Sequence, residues 1–217
     1  MLDERAHRMG PTADGRWLVL EHGAIRIGPD HVTQYAVVDT ETGTSTNIEL
    51  RDAWPLEFVA VSPGGKRLYV MDRDVTGRAE AGHPLGIRVY DIGARTLRAT
   101  VVPGTELSDV QPSPLRSRAV LSPDGRWLFT LQTSAGKTPF IMALDTIGEN
   151  AERIVFPSDQ KSTSDRSMVW SLVMTRDGAT LYAVNAAVGL INEIDARAMS
   201  VRRTGHVPLS RTTAAPF

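Results

Sequence analysis

One phrase occurs four times in this chain, and no other feature restricts the fold as much. It reads TADGRWLVL at 12–20, SPGGKRLYV at 62–70, SPDGRWLFT at 122–130 and TRDGATLYA at 175–183. Each copy opens on a hydroxyl residue (Thr12, Ser62, Ser122, Thr175) and has glycine three residues on (Gly15, Gly65, Gly125, Gly178). Leucine follows three residues later (Leu18, Leu68, Leu128, Leu181), then Val19, Tyr69, Phe129 or Tyr182. The copies start 50, 60 and 53 residues apart. A second phrase sits between them: YAVVDTETG at 35–43, IRVYDIGAR at 87–95, FIMALDTIG at 140–148 and INEIDARAM at 191–199. Its aspartates, Asp39, Asp91, Asp145 and Asp195, are spaced 52, 54 and 50 residues apart. Two phrases that keep one order at one period define a repeat of a supersecondary unit.

The chemistry of the phrases says what that unit is. Asp-Gly or Gly-Gly between apolar runs marks a tight hairpin, because glycine adopts positive φ without a Cβ clash. The four or five residues after it are leucine-rich and aromatic, which suits a buried strand. A short apolar run precedes it: FVAV at 58–61, RAVL at 118–121 and MVWSLVM at 168–174. After the aspartate phrase comes a more polar run: TNIEL at 46–50, TLRATVV at 96–102, ERIVF at 152–156 and SVRRTGHV at 200–207. Each repeat therefore reads as four antiparallel strands, a to d, with d facing solvent. Residues 1–11 make a poor strand a for the first repeat. No segment carries a sustained helical period with caps. A period of about 50 residues lies in the range of propeller blades.

These phrases resemble the YVTN-type and WD40-like β-propeller repeats of bacteria. Those repeats carry an SPDG-x-x-LYV strand pair followed by a strand that ends in aspartate. The resemblance covers nearly the whole chain and implies an all-β propeller. Its blades fall at about 1–55, 56–103, 104–157 and 158–217, within a single domain at 1–217. Relatives of that kind commonly have about seven blades, so four imply an open arc or part of a larger ring. The end blades of such an arc would expose apolar flanks and self-associate. The resemblance leaves the activity open, since such propellers include ligand-binding modules, surface proteins and lactonase-like enzymes.

Composition narrows the function classes. With 217 residues, 41% hydrophobic and 23% charged, the chain can build a real core. A net charge of −1 leaves no basic footprint for nucleic acid. The chain has no cysteine, which excludes disulfides and cysteine metal sites. No run approaches the roughly 18 apolar residues of a membrane span. MLDERAHRMGPTADGRW has no apolar core and is not a signal peptide, so the compartment is cytoplasmic, or extracytoplasmic if a leader has been lost.

The repeated acids read as structural. Asp14, Asp124 and Asp177 are expected to form turns, and Asp39, Asp91, Asp145 and Asp195 to cap the c–d turn, because Asx side chains bond their own backbone. Trp17 and Trp127 are expected to pack. No Walker A, GxGxxG or GxSxG motif occurs, and the five histidines (His7, His22, His31, His83, His206) show no ligand spacing. Ser134–Lys137 and Ser158–Lys161 match SxxK only in loops. Chemistry is expected on the face that carries the b–c loops (about 20–34, 71–86, 131–139 and 184–190) and the d–a loops, since these differ in every repeat.

The most ordered candidate there is DRDVTGRAEAGH, 72–83. Asp72, Asp74 and Thr76 fall at positions 1, 3 and 5 of a calcium loop, Gly77 at 6 and Glu80 at 9. Position 12 is His83 in place of a bidentate glutamate, so the loop is expected not to hold calcium tightly. Asp72, Asp74 and Glu80 remain the metal candidates; no catalytic residue and no cofactor is expected. Two functions stay open. One is a non-enzymatic scaffold that binds a protein or small ligand on its loop face. The other is a lactonase-like hydrolase with a metal or acid cluster in the channel.

Overall fold

A computed structural model describes residues 8–72, 86–106, 119–133, 137–160 and 169–208. They form four antiparallel sheets of four strands each, every sheet in plain sequence order. The first sheet holds β1 (Arg8–Pro11), β2 (Trp17–Ile27), β3 (Asp30–Asp39) and β4 (Ser45–Asp52). The second holds β5 (Leu56–Val61), β6 (Arg67–Asp72), β7 (Ile87–Asp91) and β8 (Thr96–Val101). The third holds β9 (Ala119–Leu121), β10 (Trp127–Gln132), β11 (Phe140–Asp145) and β12 (Asn150–Val155). The fourth holds β13 (Ser171–Met174), β14 (Thr180–Asn185), β15 (Leu190–Asp195) and β16 (Ser200–His206). These are the a, b, c and d strands of four blades, and the d strands β8, β12 and β16 are mostly exposed.

The a–b turn is built identically each time. The N–H of Gly15, Gly65, Gly125 and Gly178 donates to the carbonyl of the opening Thr12, Ser62, Ser122 or Thr175 at 2.8–2.9 Å. Each of these glycines has φ between 66° and 71°, which explains why glycine recurs there. The opening hydroxyl oxygen accepts the N–H of the first b-strand residue, as in Trp127 to Ser122 at 2.9 Å. The acids behave as turn formers: Asp14, Asp124 and Asp177 each accept the N–H two residues on, at 3.0–3.1 Å.

Side-chain alternation sends one face of each sheet to the blade before it and the other to the blade after. Val19, Tyr35 and Val37 pack with Phe58, Leu68, Val70 and Tyr90, joining the first and second sheets. Tyr69, Met71, Ile87 and Val89 pack with Leu128, Met142 and Leu144, joining the second and third. Phe129, Leu131 and Ile141 pack with Leu181, Ala183 and Ile194, joining the third and fourth. Among the described residues no such cluster joins the fourth sheet to the first.

The first repeat departs from the expected loop at 20–34. β2 runs eleven residues and β3 ten, and they pair out to Ile27↔Asp30 as one long hairpin. The reversal is a two-residue turn that opens on Gly28 at φ 65°, followed by Pro29. Its apolar residues alternate with polar ones, a strand pattern that the repeat boundaries concealed. Residues 8–11, a poor strand by composition, pair with β2 throughout.

Candidate functional site

The two ends of the blade stack differ in construction. The a–b and c–d turns close one end. In the c–d turns of the first, third and fourth blades the aspartate takes two backbone N–H groups, those of Glu41 and Thr42 on Asp39, of Ile147 and Gly148 on Asp145 and of Arg197 and Ala198 on Asp195. In the second blade Asp91 takes that of Ala94. Arg126 holds Asp145 through two bonds, of 3.0 and 2.6 Å. Burial pushes the Asp145 carboxyl up, but these donors outweigh it and hold the group below the usual carboxylate range. Asp39 is shifted the same way, its burial offset by the N–H groups of Glu41 and Thr42 and by Arg16. For Asp177 the Thr175 hydroxyl is the main cause of the lowering. Each acid is committed to its own turn.

The opposite end is the loop face. The sixth residue of every b strand is polar, His22, Asp72, Gln132 and Asn185, and in the last three blades it ends the strand. Asp72, Gln132 and Asn185 are fully buried. Arg88, near the start of β7, lies buried between two carboxylates, donating from Nη2 to Asp72 Oδ1 at 2.6 Å and to Asp52 Oδ2 at 2.8 Å. Asp52 belongs to the first sheet, so this pair of bonds straps the first blade to the second. Two further straps lie beside it. Glu21 accepts the Phe58 N–H at 3.0 Å, and Thr33 accepts the Leu56 N–H at 3.2 Å. In the connection that enters the fourth blade, Gln160 exchanges amide bonds of 3.0 and 2.8 Å with Asn192 of β15, and Thr204 of β16 donates to Asn192 at 2.7 Å. The long hairpin of the first blade also stands at this end, with Ile25 57% and Ile27 49% exposed at its tip.

Of the metal candidates, Asp72 is ion-paired to Arg88 at the root of the 72–83 loop. Asp74 and Glu80 lie outside the described residues, as do Thr76, Gly77 and His83. Among the described residues no three His, Cys, Asp or Glu side chains stand close enough to share a metal ion. Composition and spacing missed the Arg88–Asp52–Asp72 group. Its members come from three strands of two repeats, and only the blade stacking brings them together.

Two hollows lie among the described residues. One, of about 260 Å³, is apolar and lies along the inner strands, walled by Gly10, Phe58, Ala60, Val120 and Leu128. The other, of about 420 Å³, is a groove at the turn end between the third and fourth blades, walled by Asp124, Arg126, Trp127, Asp177 and Arg197. Arg126 there lies over the Trp127 ring, 5.3 Å from its centroid. In the first blade the matching Trp17 rests on Gly65 so closely that a Cβ on that glycine would lie 2.3 Å from the indole.

No family model matches the chain, and no curated protein matches it. Solved structures do. The propeller domain of the trilobed protease of Pyrococcus furiosus, described as having an open velcro topology, aligns at 12% identity with a TM-score of 0.51, over 90% of this chain and 54% of that one. The Dos1 propeller aligns at 10% identity with a TM-score of 0.53, over 95% of this chain and 49% of that one. The fold is a β-propeller. The chain spans about half the length of the solved propellers it matches. No helix among the described residues is long and apolar enough to cross a membrane.

Proposed function

We propose that this chain is a non-enzymatic binding scaffold of the YVTN-like kind, with residues 1–217 acting as one propeller unit whose loop face receives a protein or small ligand. The observation that carries this reading is the asymmetry of the two ends. The turn end spends its acids on its own backbone, whereas the loop end combines buried polar strand ends, inter-blade straps and an exposed apolar hairpin tip. Rigid straps under varied loops are the usual arrangement for recognition. Arg88 neutralises Asp72 at the root of the 72–83 loop, so the same arrangement supports a loop that does not bind calcium tightly. Calorimetric titration with calcium should show no heat in the micromolar range, and a tight site abolished by Asp72→Ala would move the function to that loop.

The reading is tested by fragment screening with side-chain NMR. Ligands should perturb the Gln132 and Asn185 amides and the Ile25 and Ile27 methyls. Perturbations confined to Trp127 and Arg197, in the turn-end groove, would overturn the assignment of the binding face. Hydrolysis of lactone substrates by the purified chain, lost on metal chelation, would favour the hydrolase reading instead.

A further inference from the structure

The outward faces of the first and fourth blades keep most of the apolar character of inter-blade faces, with Glu193, ion-paired to Arg203, the charged exception. In the second blade Tyr69, Met71, Ile87 and Val89 are buried against the third. The same register positions in the fourth blade are Tyr182, Val184, Ile191 and Glu193, and all four are only half-buried. Val173, paired to Tyr182 on that face, is 57% exposed. On the first blade, Leu18, Leu20, Ala36 and Val38 form the corresponding face on the other side; Leu18, Ala36 and Val38 are half-buried too, and Leu20, opposite Ala36, is 9% exposed.

The chain also repeats at the level of blade pairs. The first and third blades share Arg-Trp at the start of strand b, Arg16–Asp39 and Arg126–Asp145 ion pairs, and Asp-Thr at the c–d corner. Thr40 and Thr146 each bond two carbonyls of their own a–b turn, Thr40 those of Gly15 and Arg16, Thr146 those of Gly125 and Arg126. The second and fourth blades share Leu-Tyr, as Leu68-Tyr69 and Leu181-Tyr182. Where the second blade meets the third, the buried Tyr69 hydroxyl donates to the Thr146 carbonyl at 2.8 Å. A contact between a fourth blade and a first blade would repeat that contact, with Tyr182 donating to the carbonyl of Thr40.

We propose that two copies of this chain close one eight-bladed ring, the fourth blade of each seated on the first blade of the other. The joint is head-to-tail, and a twofold axis makes it occur twice, so no blade flank is left over. Eight blades lie within the range of closed propellers, and the solved propellers that this chain matches are about twice its length. This assembly is independent of what the loop face binds.

Sedimentation velocity on the purified chain should give a single dimer. Tyr182→Asp and Leu20→Asp, one on each flank, should each give a folded monomer by circular dichroism. Mixing the two should restore a dimer held by one joint, since the mixture contains one intact fourth-blade flank and one intact first-blade flank. Tyr182→Phe should keep the dimer but weaken it about 25-fold, about fivefold for the hydroxyl hydrogen bond lost at each of its two joints. The proposal is overturned by a monomeric parent chain, by an open ladder of multimers, or by a dimer indifferent to Leu20→Asp, which would place the joint elsewhere. If either aspartate variant fails to fold, the alanine variants Tyr182→Ala and Leu20→Ala carry the same mixing test.

Discussion

β6 and β14 carry nearly the same phrase, RLYVMD and TLYAVN, at the same place in their blades. β6 is buried at every position after its first, while β14 alternates between buried and half-buried. Tyr69 is 0% exposed, whereas Tyr182 remains partly open to solvent. The strand sequence thus sets which residues can face a neighbour, and the neighbour decides whether they are buried. A blade with partners on both sides has two cores; the end blades have one. Stability should be graded accordingly, with cavities and unpaired charges costing most in the second and third blades.

The largest loss is expected at Arg88. Replacing it with alanine leaves the fully buried Asp72 facing the half-buried Asp52 with no cation between them. Breaking a buried pair in this way costs about 3–5 kcal/mol. Urea unfolding measures it directly. A loss under about 1 kcal/mol would mean that the strap is solvated and that the apolar cluster and the Glu21 and Thr33 bonds join the first two blades without it.

The equivalent leucines give the cleanest comparison. Leu68, Leu128 and Leu181 are 0%, 6% and 0% exposed, while Leu18 of the first blade is half-buried on its free flank. Leu68→Ala should cost about 3–4 kcal/mol and Leu18→Ala about 1 kcal/mol in the isolated arc. If the two-copy ring forms, Leu18 becomes an inter-blade residue and its cost should rise with protein concentration. Equal costs at every concentration would remove the distinction between end and inner blades.

The repeat was legible because its turn chemistry is local. Thr or Ser, then Gly at positive φ, then leucine and an aromatic, are demands that one hairpin makes of its own residues. The c–d aspartates were legible for the same reason. The hairpin of β2 and β3 was not, because the other repeats lack it and the period hid a strand continuing through Ala24 to Ile27. The polar straps were not legible either. Glu21 meets Phe58 across 37 residues and Arg88 meets Asp52 across 36, distances over which no spacing rule operates. Sequence pointed to the loop face as the place for a site, but the acids it singled out there were ordered by a calcium-loop pattern, whereas Asp72 is ordered by a guanidinium from the next strand.

Acid should act on inner and end blades alike. Asp14, Asp39, Asp145, Asp177 and Asp195 all have carboxyls held below the ordinary value of 3.8. A group with a lowered folded pKa binds fewer protons in the native state. Its stabilisation is therefore complete above the unfolded value and lost as pH falls through the folded one. Unfolding free energy should be flat from neutrality to about pH 5 and should decline below about pH 4. Asp145→Asn should flatten the decline more than Asp195→Asn, because Asp145 is the more buried, with side-chain exposures of 2% against 18%. An increase in stability on acidification would contradict the sign of every one of these shifts.

The smallest effect separates strain in the turns from burial in the blades. The fifth residue of each c–d turn, counting from its aspartate, sits in the left-handed region: Gly43 at φ 70°, Arg95 at 54°, Glu149 at 56° and Met199 at 49°. A Cβ in that region is crowded by its own backbone, and only the first blade has relieved it with glycine. The other three are not equivalent in what a glycine would remove. Glu149 is held by Arg67 at 2.8 Å and also by Arg98, so its side chain ties the third blade to the second. Met199 packs on the core between the third and fourth blades. Arg95 is exposed. Arg95→Gly should therefore gain about 0.5–1 kcal/mol, the relief of the turn less the added freedom of the unfolded chain. Glu149→Gly should lose stability despite the same relief, because two inter-blade ion pairs go with the side chain. Paired urea midpoints decide between them, and a fall for both would mean that the left-handed corner carries no strain for glycine to remove.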